Sequence, residues 1–240
     1  MMESILFFLI LFLWGILLIK IILIIYSSFT QKSKIIVFTG TIGAGKTSCA
    51  KLFERYLKQK GFSVYRYIEA SLEVPDELDL FYDNPAQNSL FFQYVIMNLY
   101  EKRALLIKKL KFDYIIEDCI IKDVNIFNKF IENNKARNYI NKKVSEVEYI
   151  DPYKVVYIKP SVKTTIKRKK KRNRPGEKCN VEYLNQLYSE YENEINIIYP
   201  EHIVFENEVV LCNNCLNFSE CKSKKKCDLK SHEIFFNQLL

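Results

Sequence analysis

A glycine-rich segment has the composition and spacing of a phosphate-binding loop. Residues 40–47 read GTIGAGKT and fit the pattern G-x-x-x-x-G-K-[ST] at every fixed position. Glycines let backbone N–H groups turn toward a phosphate, and the helix that follows adds its positive dipole end. The Lys46 amine can neutralise the β- and γ-phosphates, and the Thr47 hydroxyl can ligate Mg²⁺. The predicted ATP-binding residues of the loop are Gly40, Thr41, Ile42, Gly43, Ala44, Gly45, Lys46 and Thr47.

The elements around this loop fit the motif, because a β-branched run precedes it and a helical pattern follows it. Apolar runs alternate with helical patterns along the rest of the chain. Such alternation predicts an α/β fold, a parallel sheet of about five strands with helices on both faces. The expected strands are 35–39, 62–69, 112–117, 154–159 and the short pieces 203–205 and 209–211. The expected helices are 46–60, 72–111 with a break at 83–85, 120–134, 135–147, 164–172 and 181–198.

A phosphate-binding loop indicates nucleotide phosphates and leaves the reaction open. A GTPase needs a guanine-reading N-K-x-D, which the sequence lacks. An ATPase needs a strand that ends in acidic residues, and residues 115–118 (IIED) meet that requirement in part. Small-molecule kinases and ATPases therefore stay open on the loop alone.

Four further segments narrow the choice by their order and spacing. Glu69 ends the second expected strand, FYDNP at 81–85 precedes FFQ at 91–93, and EDC at 117–119 follows the third strand. A basic run at 167–174 reads KRKKKRNR. Together with the loop, these segments resemble the deoxynucleoside kinase family over residues 35–198. The resemblance implies transfer of the ATP γ-phosphoryl group to the 5′-hydroxyl of a deoxynucleoside.

The resemblance also implies roles for the side chains that would hold the nucleoside. Glu69 would be the general base for the 5′-hydroxyl, and Tyr82 and Glu177 would bind the sugar 3′-hydroxyl. Gln93 would contact the base, since an amide offers a donor beside an acceptor. Asp123 matches an acidic position that some members use against the base.

The basic run resembles the lid of the family, whose Arg168, Arg172 and Arg174 would close over the ATP phosphates. By composition alone such a run also fits a nucleic-acid, acidic-lipid or nuclear-import patch. In register with the other motifs it favours the lid, so nucleic acid is not an expected partner. A homodimer is common in the family.

The chain departs from the family pattern around the metal and the sugar. Glu117 would hold Mg²⁺ together with Thr47. Asp118 stands where the family has an Arg that organises the catalytic carboxylate. The Pro and Trp that usually follow the catalytic Glu are replaced by Ala70 and Val74. These departures motivate an alternative function, a catalytically weak nucleotide-binding membrane module or scaffold of the same fold.

An apolar segment at 5–25 predicts a transmembrane helix, because its 21 residues match the ~20 needed to cross a bilayer. Glu3 precedes the segment, Lys20 lies within it toward its C-terminal end, and Lys32 and Lys34 follow it. This bias predicts a single-pass membrane protein whose kinase domain faces the cytoplasm. A buried core helix or an uncleaved leader is the competing interpretation.

The C-terminal end carries a cysteine cluster outside the resemblance. Its residues are Cys212, Cys215, Cys221 and Cys227. Thiolates at these spacings could bind one Zn²⁺, although free thiols and disulfides remain alternatives. The net charge of +8 suits anionic ligands in general. The expected organisation is an anchor and linker at 1–30, a kinase domain at 31–206 and a Cys-rich extension at 207–240.

Overall fold

The computed structural model of the chain describes residues 14–20, 22, 32–172, 181–208 and 229–240. It divides into two compact units, Met1–Ser33 and Lys34–Leu240. Residues 14–20 of the first unit are helical. Within the described ranges, no helix is both long and apolar enough to cross a membrane. Most of the predicted transmembrane segment at 5–25 lies outside these ranges, so the anchor stays a prediction.

The second unit is built on a five-stranded sheet in which every neighbouring pair is parallel. The strands are β1 (Lys34–Thr39), β2 (Val64–Arg66), β3 (Tyr114–Asp118), β4 (Lys154–Ile158) and β5 (Ile203–Phe205). Their order is β2-β3-β1-β4-β5, with β1 at the centre. The α/β prediction is confirmed. Because the strands are parallel, their carboxyl ends meet at one edge, where ligands of such sheets bind.

Among the described residues of this second unit, eight helices connect and cover the strands. They are α1 (Lys46–Gln59), α2 (Pro75–Asp83), α3 (Pro85–Ile107), α4 (Val124–Phe127), α5 (Asn134–Glu146), α6 (Val162–Arg172), α7 (Val181–Ile198) and α8 (Leu229–Asn237). The expected break at 83–85 is present, and the Asn84 side chain accepts a hydrogen bond from the backbone N–H of Gln87 at the start of α3.

The long helix expected over 120–134 is replaced by short pieces. A 3₁₀ turn at Ile121–Asp123, the four-residue α4 and a second 3₁₀ turn at Asn128–Phe130 follow one another. Asp123 Oδ2 accepts a hydrogen bond of 2.8 Å from the backbone N–H of Ile120. Such a local side-chain bond competes with regular helix, and here it fixes a turn beside the carboxyl end of β3.

Alternate residues of the central strands serve different cores, as the two-residue period of a strand requires. Ile36 and Phe38 of β1 pack in the same cluster as α1, and Ile35 and Val37 pack in the same cluster as α7. Both sets are buried. The sheet is therefore covered on both faces, and a cavity lies at its carboxyl edge.

The last helix lies in the expected Cys-rich extension, residues 207–240, and belongs to the same unit as the sheet. Phe236 of α8 lies 5.0 Å between ring centroids from Phe53 of α1. Phe235 stacks on Phe205 of β5 at 4.2 Å. Phe235, Phe236 and Leu239 are buried, so this helix supplies part of the core behind α1.

Candidate active site

The phosphate-binding loop lies between β1 and α1, as the motif predicts, and its backbone needs glycine. Gly43 and Gly45 have φ values of +78° and +98°, in the left-handed region that side chains disfavour. A Cβ on Gly40 would meet the backbone oxygen of Ile158 at 2.6 Å. The glycines of the motif are thus required by the path of the loop and by its contact with β4.

Lys46, the lysine of the phosphate-binding motif, is buried. Its Nζ donates hydrogen bonds to the backbone oxygens of Gly40 at 2.9 Å and Thr41 at 3.0 Å. Burial acts to lower the pKa of Lys46, but the acidic groups of Cys119, Asp118, Glu69 and Asp123 more than offset it and raise the pKa. Lys46 is therefore a fixed cation, as neutralisation of a phosphate requires.

A cavity of about 320 Å³ opens beside the loop at the carboxyl edge of the sheet. It brings together four predicted site residues from four different elements, besides Lys46 and Ile42 of the loop. They are Glu69, Tyr82, Gln93 and Asp123. Its volume is at the lower end of the ~300–1,000 Å³ of ligand pockets. The expected nucleoside-binding side chains of the described chain share one cavity with the phosphate loop.

Glu69 lies where β2 leads into the 3₁₀ turn Ala70–Leu72. The Ser71 hydroxyl donates to Glu69 Oε1 at 2.8 Å. The carboxylate is half-buried and close enough to Lys46 and Asp118 to influence their pKa values. This position, at the cavity wall and near the cation of the loop, suits a group that accepts a proton from a substrate hydroxyl.

Arg103 of α3 supports the turn that carries Glu69, and sequence reasoning missed it. Its Nη2 donates to the backbone oxygen of Ile68 at 2.7 Å and forms an ion pair with Glu73 at 2.6 Å. The guanidinium lies 5.0 Å from the ring centroid of Tyr67. A buried arginine in a helix of mixed composition gives no local signal, since only its tertiary partners distinguish it from a surface residue.

Two helices, α2 and α3, form one wall of the cavity. Tyr82 of α2 and Gln93 of α3 are each 8% exposed and line it. Phe92 stacks on Phe81 at 4.9 Å, and both rings line the same wall. Phe91 is 49% exposed and is absent from that wall. The wall thus offers stacked aromatic surface beside one amide, a combination that suits a flat heteroaromatic base.

Asp123 is buried and also lines the cavity. Thr39 Oγ1 donates to its Oδ1 at 2.5 Å, and the backbone N–H of Ile120 donates to its Oδ2. Burial raises the pKa of Asp123, although these hydrogen bonds oppose the shift. Tyr100 and Phe127, which were not predicted as site residues, line the cavity with it. The carboxylate of Asp123 therefore links the end of β1 to the turn that follows β3.

The two acidic residues that end β3 have different surroundings. The Thr47 hydroxyl donates a hydrogen bond to Asp118 Oδ2, so Asp118 contacts the loop. Glu117, expected to hold Mg²⁺ with Thr47, is fully buried, and its carboxylate has no hydrogen-bond partner in the described chain. Its electrostatic neighbours are Arg103 and Asp123, and burial raises its pKa to about 8. Consecutive residues of a strand point to opposite faces, so the structure brings Asp118 to Thr47 and does not bring Glu117 there.

Cys119 forms the cavity wall directly after β3. It is buried, it lines the cavity, and it is the one described residue besides glycine with a positive φ, at +64°. Burial raises the pKa of the Cys119 thiol well above its usual value. Its left-handed backbone turns the chain from β3 toward the turn that holds Asp123.

The described part of the predicted lid is α6, and its Arg168 lies against the loop. Arg168 Nη1 donates to the backbone oxygen of Ala44, and Nη2 donates to that of Asn207 at 2.7 Å. Arg172 is exposed at the end of α6. Arg174 and Glu177 lie outside the described residues. The predicted lid helix therefore begins beside the phosphate loop, with Arg168 on its inner face.

The four cysteines of the proposed zinc site also lie outside the described residues. In the part of the chain that the structure describes, no group of three or more His, Cys, Asp or Glu side chains could hold a metal ion by itself. Zinc binding stays a prediction.

The chain was compared with protein families and with known proteins, and it is similar to kinases of deoxynucleosides. The family model for deoxynucleoside kinases matches residues 36–231. The deoxyguanosine kinase of Bacillus subtilis strain 168 is 33% identical over 167 residues, which cover 65% of this chain and 76% of that protein.

Solved structures of a deoxyadenosine kinase from M. mycoides have the same fold. The complex with the products dCMP and dCDP has a TM-score of 0.65 at 22% identity, and the complex with dATP has 0.63 at 21%. Each match covers 85% of this chain and 98% of the solved chain. The chain therefore belongs to the deoxynucleoside kinase family and is a nucleoside phosphotransferase.

Proposed function

We propose that this kinase transfers the γ-phosphoryl group of ATP to the 5′-hydroxyl of a deoxynucleoside bound in the 320 Å³ cavity. One observation carries the proposal. The cavity joins a phosphate loop and its fixed cation, Lys46, to a carboxylate, Glu69, and to an aromatic wall with a single amide, Gln93. Few ligands other than a nucleoside combine a flat base with a hydroxyl that must lie near a phosphate.

Glu69 would take the proton of the 5′-hydroxyl as that oxygen attacks phosphorus. Phosphoryl transfer depends mainly on orientation and on stabilisation of charge, so one carboxylate and one cation suffice as the central pair. Lys46 would stabilise the transferring group, because its amine is held at the loop by two carbonyl oxygens. The burial of Lys46 strengthens this effect, since charges interact more strongly away from water.

The sugar and the base would occupy the wall formed by α2 and α3. Tyr82 would bind the sugar 3′-hydroxyl, and Gln93 would make two contacts to the edge of the base. Phe81 and Phe92 would enclose the base by stacking. The B. subtilis relative is named for deoxyguanosine and the M. mycoides kinase for deoxyadenosine, so we propose a purine deoxynucleoside as the preferred substrate.

The lid would complete the site when ATP is bound. Arg168 already lies against the loop, while Arg172, Arg174 and Glu177 follow it along the chain. Closure over the phosphates would exclude water and place positive charge near the transferring group. The Thr47 hydroxyl, with a neighbouring carboxylate, supplies the oxygen ligands that Mg²⁺ prefers, and the metal would neutralise phosphate charge.

A phosphorylation assay tests the proposal. The purified 240-residue chain would be offered ATP and Mg²⁺ with each of the four deoxynucleosides in turn. We expect turnover with a purine deoxynucleoside at the highest kcat/KM. Turnover confined to pyrimidines would overturn the substrate preference, and no turnover with any nucleoside would overturn the proposed reaction.

A catalytically weak binding module remains the second candidate, and Asp118 is the observation that favours it. An acidic side chain stands where the family has an arginine, so the site contains one positive charge fewer beside Glu69. Saturable binding of ATP and a deoxynucleoside without phosphoryl transfer would support this candidate over the enzyme.

Membrane attachment and self-association complete the proposal. The apolar segment at 5–25 supports a single-pass anchor with the kinase domain on the cytoplasmic side. Exposed apolar residues on α3, Leu90, Phe91 and Tyr94, support a homodimer. Flotation with lipid vesicles would test the membrane anchor, and sedimentation in detergent would test the homodimer. A zinc ion on the C-terminal cysteines would be tested by metal analysis of the purified chain.

A further inference from the structure

Asp118 is a buried carboxylate at the carboxyl end of β3, beside the phosphate loop. It is 1% exposed. Its Oδ2 accepts the hydrogen bond of the Thr47 hydroxyl, while its Oδ1 is buried and has no hydrogen-bond partner among the described residues. A buried polar atom without a partner costs about 1–3 kcal/mol, so such an atom at a ligand site indicates a role with the ligand.

The surroundings of Asp118 indicate which ligand suits that oxygen. Thr47 occupies the motif position whose hydroxyl ligates Mg²⁺ in phosphate-binding loops. Lys46, next to it in sequence, interacts electrostatically with Asp118. A hydroxyl oxygen and a carboxylate oxygen in contact beside a phosphate site form the hard-oxygen donor set that Mg²⁺ prefers. The free oxygen of Asp118 therefore fits a metal ion, or a water bound to one, held by the same loop.

Glu117, the other acidic residue at the end of β3, does not lie next to the Thr47 hydroxyl. It neighbours Asp118 in sequence, but consecutive side chains of a strand point to opposite faces, and the hydrogen bond of the Thr47 hydroxyl goes to Asp118. Arg103 is the cation that acts to lower the pKa of Glu117, whereas Asp118, Glu69 and Asp123 are carboxyl groups that raise the pKa of Lys46. The carboxylate of β3 that faces the phosphate loop is that of Asp118.

We propose that Asp118 is the carboxylate of the Mg²⁺ site in this chain and acts together with Thr47. The inference rests on the proposed kinase function and deepens it. The residue at the position of the family's arginine is then a metal-binding group. Lys46 becomes the cation that lies near both Glu69 and the transferring phosphoryl group.

The test measures metal-dependent nucleotide binding, which does not require turnover. Titrating Mg²⁺ into the chain with a fluorescent ATP analogue gives the Mg²⁺ concentration at half-maximal binding, and EDTA gives the metal-free affinity. The variants are Asp118→Asn, which keeps size and shape, Thr47→Val, which replaces the hydroxyl with a methyl group, and the double substitution. Glu117→Gln is the matched control, because it makes the same chemical change one residue earlier.

We expect Asp118→Asn to raise the half-maximal Mg²⁺ concentration by about 10- to 100-fold, as loss of a group that orients a metal ligand does. The affinity of this variant for the ATP analogue in EDTA should be unchanged or higher, because the substitution removes a negative charge from the phosphate site. Thr47→Val should raise the half-maximal Mg²⁺ concentration by a similar factor. The factor for the double variant should be smaller than the product of the two single-variant factors, since both residues act on one metal. Glu117→Gln should retain the parent Mg²⁺ dependence.

Three outcomes separate the inference from the function on which it rests. A parent-like Mg²⁺ dependence in Asp118→Asn would overturn the assignment while the kinase proposal stands. Loss of Mg²⁺ dependence in Glu117→Gln instead would transfer the role to Glu117. If the parent chain bound the ATP analogue equally well in Mg²⁺ and in EDTA, both the assignment and the proposed function would fail. Melting curves of each variant verify that it is folded.

Discussion

Arg103 Nη2 lies 2.7 Å from the backbone oxygen of Ile68, the residue that precedes Glu69. A cation on α3 therefore holds the turn that presents the proposed general base. The same nitrogen pairs with Glu73 beyond the turn, so one guanidinium spans both of its ends.

Replacing Arg103 with Met should separate catalysis from ATP binding. The variant loses the bond to Ile68 and the ion pair, which should lower the free energy of unfolding by about 1–3 kcal/mol. With Glu69 less well placed, kcat should fall by about 10- to 100-fold, because small displacements of reacting groups have effects of that size. The affinity for ATP should hold, since the phosphate loop does not contact Arg103.

The exposed neighbour Lys102 provides the control for this substitution, because Lys102→Met makes a similar change on the outer side of α3. Arg103→Lys should recover part of kcat. A kcat for Arg103→Met equal to that of the parent would show that the turn needs no such support.

Glu69→Gln should reduce turnover with little effect on binding. The amide keeps the shape of the side chain and can still pair with the Ser71 hydroxyl, but it cannot take up a proton from the substrate. We expect kcat to fall by about 10²- to 10⁴-fold, the usual range for loss of a general base. Parent-like kcat, measured by coupled ADP release, would remove Glu69 from the mechanism.

Gln93→Leu should weaken recognition of the base. The buried amide would be lost at nearly constant volume, and kcat/KM for the deoxynucleoside should fall by about 10- to 100-fold, as loss of one or two buried hydrogen bonds predicts. The effect should appear in KM, because the base is held equally before and during transfer. A change in kcat alone would contradict a role in base binding.

Phe236→Ala should test the contribution of α8 to the kinase core. Phe236 is 2% exposed and contacts both Phe53 and Tyr56 of α1. Its truncation should lower the free energy of unfolding by about 3–5 kcal/mol in urea denaturation. The matched control is Ile234→Ala on the same helix, where a side chain 58% exposed should change stability by about 0.5 kcal/mol or less.

Glu54 should make stability depend on acid pH. Burial acts to raise its pKa, but its hydrogen bonds to Lys58 and Arg66 outweigh this effect and lower the pKa below 4.5. A carboxylate whose pKa is lower in the folded state stabilises fully above its unfolded value and loses that contribution as pH falls through the folded value. Because solvent screens the group, Glu54→Gln should destabilise by only about 1 kcal/mol or less at pH 7. The stabilities of the two proteins should converge as the pH falls through the lowered pKa of Glu54 in the folded state. A constant difference at all pH values would contradict the ion-pair explanation.

Features that depend on nearby residues were predictable from the sequence. The phosphate loop, the central strands and α7 follow from glycine spacing and hydrophobic period, which act within a few residues. The meeting of Glu69, Tyr82 and Gln93 followed from the family resemblance and the shared edge of a parallel sheet.

Features that depend on distant partners were not predictable. The period of a strand places Glu117 and Asp118 on opposite faces but does not tell which face meets α1. Likewise, the sequence does not show that the apolar residues of α8 pack against α1. Arg103 cannot be distinguished from a surface residue until its tertiary contacts are known. In each case a tertiary neighbour decides the role.

The left-handed backbone at Cys119 limits how this active site can diverge under selection. Residues with branched Cβ atoms are strongly disfavoured at φ +64°, whereas Gly and Asn tolerate it. New substrate preferences would therefore arise at wall positions with ordinary backbone, such as Val124 with φ −55° or the helical Tyr100, while position 119 accepts a small set of residues whatever the shape of the base.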